Sequence, residues 1–297
     1  MIKFKTAAVF AKRSEPMGHA LEMLLNILHK EGVQVLLEES TATHLPGATG
    51  YNLQTLGERA DVIIIIGGDG TTLGIARRMA QYKLPIIAIN AGRLGFITDF
   101  TLDDMAEGLP PLLHGLYQSD TRAMLAAKLY RQGKLIWEHT AINDIGITHG
   151  RAGSMVEFNV WVEDKPMATQ RADGVIVASA TGSTAYAMAA GGPILPPSLA
   201  AMVLVPVAPH TLSNRPIVLP STSSIDIELI EAREAAAYCD MQDFHPMQAG
   251  DILRVRAIAE AFTMLHPMNH NHYDTLRQKL YWNRMPSDNN PSSSIKD

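Results

Sequence analysis

Asp61-Val62-Ile63-Ile64-Ile65-Ile66-Gly67-Gly68-Asp69-Gly70-Thr71-Thr72 is the stretch on which the reading of the fold turns. Residues 62–66 are an unbroken β-branched run, whereas a strand with one wet face alternates apolar and polar positions. Such runs belong to parallel strands covered on both faces, and parallel strands need helical crossovers. A helical pattern over residues 71–81 follows the glycine turn. The turn therefore sits at the carboxyl end of a buried strand, where open α/β sheets hold their ligands.

Working outward, residues 6–10 read as a first strand and residues 19–30 as a helix, with Ala20, Met23, Leu24, Ile27 and Leu28 at helical spacing. Gly32 closes that helix ahead of a strand over 33–37. Residues 85–90 give another buried strand, leading into Ala91-Gly92-Arg93-Leu94-Gly95-Phe96. This alternation predicts a doubly wound, Rossmann-like α/β domain over 1–118. From about Thr121 the texture changes to short strand-like runs over 123–130, 135–147, 156–162, 175–179, 203–206, 225–229, 252–257 and 261–265. One helical segment, 185–190, interrupts them, and turns such as Gln132-Gly133 and Asp173-Gly174 separate several. The pattern predicts a mostly-β, sandwich-like domain over 119–271. Segment 272–285 is expected to complete the first domain, and the Ser/Asn/Pro-rich residues 286–297 read as a disordered tail.

Of 297 residues, 46% are hydrophobic and 19% charged, which describes a globular chain able to bury a core. The net charge of −5 argues against a nucleic-acid partner, which calls for a basic patch. No stretch is long enough to span a bilayer, and the apolar run at 7–11 is too short for a signal-peptide core. Cys239 is the single cysteine and reads as a buried thiol. A reducing compartment fits, so the expectation is a cytoplasmic protein with no membrane partner.

Three segments could carry chemistry. In Gly67-Gly68-Asp69-Gly70 the glycines let the backbone approach a phosphate, and the amides opening a helix favour an anion. A carboxylate beside phosphates is repelled unless it holds Mg²⁺ or accepts a hydroxyl proton, and both uses belong to phosphoryl transfer. The alternative is a plain βα turn with Asp69 or Thr71 as N-cap. No Walker A loop, dinucleotide fingerprint or protein-kinase signature is present. The second segment, Asp173-Gly174 through Thr181-Gly182-Ser183-Thr184-Ala185-Tyr186 to Gly191-Gly192-Pro193-Ile194, is a strand feeding a hydroxyl-rich turn that caps a short helix. It could hold ribose hydroxyls and an adenine edge, or be purely structural. In the third, Asn143 and Asp144 interrupt an apolar strand, which calls for a partner, either a ligand or a turn hydrogen bond. His266, His270 and His272 match no standard zinc spacing and read as a solvated strand edge, so no metal ligand is assigned.

Taken together, Gly67-Gly68-Asp69-Gly70, Leu94-Gly95-Phe96, Asn143-Asp144, Asp173-Gly174, Thr181 to Tyr186, Gly191 to Ile194 and Asp240-Met241-Gln242 resemble the bacterial NAD kinase family. The resemblance runs from the first strand to about Trp282. The first loop is shared with diacylglycerol, sphingosine and phosphofructokinases, whereas the 181–186 and 191–194 segments are more specific. The resemblance implies transfer of the γ-phosphoryl group of ATP, with Mg²⁺, to the adenosine-ribose 2′-hydroxyl of NAD⁺. It also implies a homo-oligomer, dimer or tetramer, in which a neighbouring subunit completes part of the NAD site. Carried over by position, Asp69 is the catalytic aspartate and Gly70 its phosphate-loop partner. Asn143 and Asp144 match the Asn-Glu pair that binds the riboses, and Asp173 matches a nucleotide-contacting aspartate. Thr184, Ala185, Tyr186, Ala187, Met188 and Ala189 would surround the adenosine and carboxamide, with Gln242 nearby. Arg171 resembles the NAD⁺-selective members. Three positions depart from the family: Asp144 replaces glutamate, Ala180 a common proline, and Met241 a smaller residue. The rival readings are a lipid or sugar kinase using the same loop and a non-catalytic NAD(P) sensor.

Overall fold

The computed structural model describes residues 2–14, 16–92, 95–150 and 155–282. The expected tail at 286–297, and Leu94 of the Leu94-Gly95-Phe96 segment, lie outside them. The chain forms two compact units: residues 1–75, 85–119 and 265 onward, and residues 76–84 with 120–264.

The first unit is built on a parallel sheet in the order Gly50–Tyr51, Gln34–Glu38, Thr6–Ala11, Val62–Ile66, Pro85–Asn90, Phe100–Thr101. In chain order that is 3-2-1-4-5-6, the Rossmann arrangement, with its switch point between Thr6–Ala11 and Val62–Ile66. Every residue of Val62–Ile66 is buried. Val62, Ile64 and Ile66 share a core with Leu21, Leu24 and Leu28 of helix Gly18–Lys30 and with Leu109 and Leu112 of helix Met105–Leu113. Helix Leu53–Arg59 packs on Thr6–Ala11 and Gln34–Glu38. Gly18–Lys30 ends where Gly32 takes φ +74°, a conformation that favours glycine. The helix after the glycine turn runs Asp69–Met79, two residues earlier than its apolar pattern suggests, and tightens into a 3₁₀ turn at Ala80–Tyr82.

The second unit is a sandwich of two sheets. One joins Lys165–Ala172, Val156–Val162, Ser224–Glu231 and Ile252–His266 in that order, with Gln118–Arg131 and Lys134–Ala141 also paired into it. The other runs Ile217–Pro220, Ala201–Val207, Gly174–Ser179, Asp144–His149, Ala235–Cys239, Asp243–Met247, antiparallel throughout. Phe158, Val160, Ile227 and Leu253 of the first meet Ile145, Val175, Val177 and Leu204 of the second in one core. Ile176 and Ala178 face the other way, into a small cluster with Ala187 and Leu195. Gly174–Ser179 is thus buried on both faces, which explains its unbroken apolar run.

Three elements differ from the sequence reading. Residues 135–147 are two strands, broken at Ile142-Asn143, where the backbone amides turn to a side chain instead of the ladder. Residues 252–257 and 261–265 are one 15-residue strand. The helix expected over 185–190 is a 3₁₀ turn, Thr181–Thr184, followed by one α-turn, Tyr186–Ala189, with the break at Ala185 (φ −100°, ψ −130°). Among the described residues no helix is long and apolar enough to cross a membrane.

Candidate functional site

In the first unit the strand Val62–Ile66 delivers Gly67-Gly68-Asp69-Gly70 to the carboxyl edge of the sheet, beside the switch point. A Cβ on Gly67 would come 2.7 Å from the Thr71 side chain, so this glycine lets the helix start tightly. Around Gly68 and Gly70 a Cβ would meet nothing within 4 Å, so both backbones face open space. Asp69 lies in the first helical turn. Its carboxylate accepts hydrogen bonds from Phe96 N–H at 2.8 Å (Oδ2) and Ile97 N–H at 3.3 Å (Oδ1). A Cβ on Gly95 would overlap that carboxylate, which accounts for a glycine there. Two amides thus orient Asp69 and leave lone pairs on both oxygens. Asp69 is not an N-cap; Thr72 donates to the Gly68 carbonyl instead.

In the second unit, three segments converge on Asp240. Its carboxylate accepts the N–H groups of Ile142 (3.0 Å), Asn143 (2.7 Å) and Asp144 (3.1 Å). Arg77 lies 3.7 Å from the same carboxylate, donates to Asp243 at 2.6 Å and to the Thr140 carbonyl at 3.2 Å. Ser179 N–H donates to the Asn143 carbonyl, and Ser179 Oγ donates to the Ile142 carbonyl at 2.6 Å. A Cβ on Gly182 would overlap the Asn143 backbone. Asn143-Asp144, the 179–184 turn and the 239–242 turn are therefore one cluster. Gln242, exposed, donates its N–H to the Cys239 carbonyl at the edge of it.

Asp144 is the unusual group of this cluster. Its side chain is 2% exposed and its Oδ1 has no hydrogen-bond partner. Burial, reinforced by the neighbouring Asp240 charge, pushes its pKa up to about 7. Tyr238, also buried and with an unpartnered hydroxyl, is held well above the usual tyrosine range, first by burial and then by Asp144. Burial likewise pushes the Cys239 thiol up, leaving it an inert core group.

The hydroxyls of the 181–184 turn behave differently from the sequence reading. Ser183 Oγ donates to the Ala180 carbonyl at 2.7 Å and accepts Leu195 N–H at 2.9 Å, and Thr184 Oγ1 donates to the Thr181 carbonyl. They brace the loop, and no side chain caps Tyr186–Ala189. Within that stretch Ala187 is buried, Ala185 and Met188 are half-buried, and Tyr186 and Ala189 are exposed.

Arg171 and Asp173 stand apart from this cluster. Asp144 pairs with Ala178 and Thr148 with Gly174, so Asp173 lies at the far end of Gly174–Ser179, about 17 Å from Asp144 at ~3.3 Å per residue. There His149 N–H donates to the Asp173 carbonyl at 3.1 Å. Arg171 is exposed and 3.7 Å from Glu157. The pair shares a cavity of about 270 Å³ lined by Met155, Glu157, Arg171, Glu231, Ala232 and Arg233.

Sequence reasoning missed Arg77 and the role of Asp240, although Asp240 opens the Asp240-Met241-Gln242 segment that carries part of the resemblance. It also misplaced the histidines. His266 is buried, not at a solvated edge, and both it and His270 lie against Asp99. On its own, burial would raise the Asp99 pKa, but hydrogen bonds and charge from the two imidazoles outweigh it and hold the carboxyl below its usual value.

An α/β unit carrying a glycine-flanked aspartate at its switch point, followed by a β-sandwich unit, is the two-part fold of the ATP–NAD kinases. Residues 15–117 match the ATP-NAD kinase N-terminal domain and residues 142–266 the ATP-NAD kinase C-terminal domain. The NAD kinase of Paraburkholderia phytofirmans is 43% identical over 289 residues, covering 96% of each chain. That of Burkholderia thailandensis is 44% identical over 289 residues, again 96% of each. The chain belongs to the NAD kinase family. Among solved structures, yeast NADH kinase complexed with NADH superposes with a TM-score of 0.82 at 23% identity, covering 98% of this chain and 90% of that one. An Archaeoglobus fulgidus NAD kinase in complex with ATP gives 0.72 at 23% identity, covering 93% and 98%. At that identity both speak to the fold.

Proposed function

We propose that this chain is an NAD kinase that transfers the γ-phosphoryl group of ATP to the 2′-hydroxyl of the adenosine ribose of NAD⁺. The observation that carries the reading is the Asp69 carboxylate, aimed by the Phe96 and Ile97 amides at the edge of the sheet in a chain of this family. Asp69 accepts the 2′-hydroxyl proton, or aligns that hydroxyl, as its oxygen attacks the phosphorus. The open backbone at Gly68 and Gly70 leaves room for the triphosphate beside it. The free lone pairs on Asp69 also fit a Mg²⁺ brought with ATP, which would supply positive charge to the transferring phosphoryl group.

In the second unit, Asn143 binds a ribose hydroxyl and Asp144, one methylene shorter than the family's glutamate and buried, meets it through water. Thr184 to Ala189 and Gln242 line the adenosine and carboxamide. Arg171 and Asp173, the latter about 17 Å from Asp144 at ~3.3 Å per residue along the strand, serve the NAD site of a neighbouring copy in a homo-oligomer. The buried single thiol Cys239 suits a cytoplasmic setting.

The test measures NADP⁺ formed from NAD⁺, ATP and Mg²⁺ with a coupled NADP⁺-specific dehydrogenase. Asp69→Asn, folded by circular dichroism, loses about 10²–10⁴-fold in kcat. Near-normal turnover in that variant would defeat the mechanism, and no NADP⁺ from the wild-type protein would defeat the function.

A further inference from the structure

Asp99, His266 and His270 form, within the first unit, a group of side chains that could hold a metal ion, with donor atoms all within 4.8 Å of one another. They come from three separate places in the first unit. Asp99 immediately precedes strand Phe100–Thr101 and His266 ends strand Ile252–His266. His270 sits in the turn before helix His272–Leu280, where its N–H donates to the Pro267 carbonyl at 2.9 Å. His266 Nδ1 is 2.7 Å from Asp99 Oδ2, and His270 Nδ1 is 2.8 Å from Asp99 Oδ1. The two imidazoles stack with centroids 4.1 Å apart. Side-chain exposure is 4% for Asp99, 2% for His266 and 21% for His270, so solvent reaches the group chiefly at His270.

We propose that Asp99, His266 and His270 bind a zinc ion, with solvent as its fourth ligand. Two imidazole nitrogens and one carboxylate oxygen are a donor set that zinc takes in sites with three protein ligands. Magnesium and calcium, which take oxygen ligands almost exclusively, do not match it. Zinc bonds of ~2.0–2.1 Å in a tetrahedron keep donor atoms about 3.3 Å apart. The Asp99 contacts at 2.7 and 2.8 Å therefore open by about half an ångström to admit the ion. The partly exposed His270 turn supplies that movement and the solvent path. A dication also offsets the charge of a carboxylate buried away from water. Asp99 follows Ile97, whose amide holds Asp69, by two residues, so the ion would tie down the loop that orients the catalytic carboxylate.

Tag-free, full-length protein stripped with a chelator is titrated with zinc against a chromogenic competitor, and bound metal is counted by mass spectrometry. The expected result is one zinc per chain, not displaced by millimolar Mg²⁺, with a raised melting temperature. His270→Ala, at a partly exposed turn where folding is easily checked by circular dichroism, weakens binding about 100-fold or more and abolishes the thermal shift. Asp99→Asn does the same, while His29→Ala, on the exposed face of Gly18–Lys30, binds as the wild type does. Failure of the wild-type protein to take up zinc at micromolar concentration overturns the proposal. So does equal zinc affinity in the wild-type, His270→Ala and Asp99→Asn proteins, which would leave the triad as hydrogen-bonded imidazoles only.

Discussion

Replacing Asp144 by Asn tests the buried carboxyl directly. In the folded chain its pKa is raised from 3.8 to about 7, burial being the main cause and the Asp240 charge the second. A carboxyl with a raised folded pKa stabilises the fold fully below its unfolded pKa. That contribution is lost as pH rises toward the folded value, because the unfolded chain ionises first. The window is therefore about pH 4 to pH 7. At 1.36 kcal/mol per unit the full span is about 4 kcal/mol, and integrating from pH 5 to pH 8 gives about 2.5 kcal/mol. With the side chain 2% exposed, solvent screens little of this. Asparagine is close in shape to the protonated acid and cannot ionise. Urea unfolding followed by circular dichroism, at half-unit steps from pH 4.5 to 8.5, separates Asp144 from every other titrating group by difference. The wild-type protein should lose about 2.5 kcal/mol more than Asp144→Asn between pH 5 and 8. Parallel curves for the two proteins would refute the reasoning, since they would mean that Asp144 ionises in the fold as easily as in the unfolded chain.

Two further outcomes follow from the same geometry. Asp240→Ala leaves the amides of Ile142, Asn143 and Asp144 without their acceptor, and Arg77 without one of its carboxylates, so urea unfolding should show a loss of about 3–5 kcal/mol; a loss below about 1 kcal/mol would mean the amides find other partners. If Arg171 and Asp173 serve a neighbouring copy, Asp69→Asn and Asp173→Ala, each inactive alone, should recover kinase activity when refolded together, because some sites in the mixed oligomer then combine an intact Asp69 with an intact Asp173. No recovery from a mixture that does form hetero-oligomers would place Asp173 in its own subunit's site.

How much of this was legible in the sequence depends on whether a feature is local. The run over 62–66 announces a buried parallel strand because burial on both faces forces an unbroken apolar pattern, and the glycine turn after it then falls at the sheet edge. Helix Met105–Leu113 was not legible, because Pro110 and Pro111 stand at its sixth and seventh positions, where a missing N–H costs a hydrogen bond; burial of Met105, Leu109, Leu112 and Leu113 holds it nonetheless. Helix His272–Leu280 buries only Leu276 and so shows no apolar period; its start is marked instead by Asn271, whose side chain accepts Tyr273 N–H. The Asp99–His266–His270 group was invisible to spacing rules for another reason. Asp99 is 167 residues from His266, so no local pattern can contain it.

The turn at Asp240 shows how a local signal can be inverted by a distant demand. Asp240 and Met241 both adopt left-handed backbone, φ +50° and +51°, as a type I′ turn requires, and such turns favour Asn-Gly. Asp-Met gives no such cue, so hairpin 235–247 escaped a reading based on turn residues. The left-handed conformation costs a residue such as methionine roughly 1–2 kcal/mol. Strain of that size persists only where the surroundings over-determine it. Here they do: the Asp240 carboxylate is held by three successive amides and by Arg77, and its own N–H donates to the Asp144 carbonyl at 2.8 Å. Moving the turn to relax Met241 would break those contacts, each worth as much as the strain it would relieve. The same anchored charge is one of the two causes that keep Asp144 protonated toward neutral pH, so the strained turn and the shifted carboxyl are two consequences of one buried aspartate.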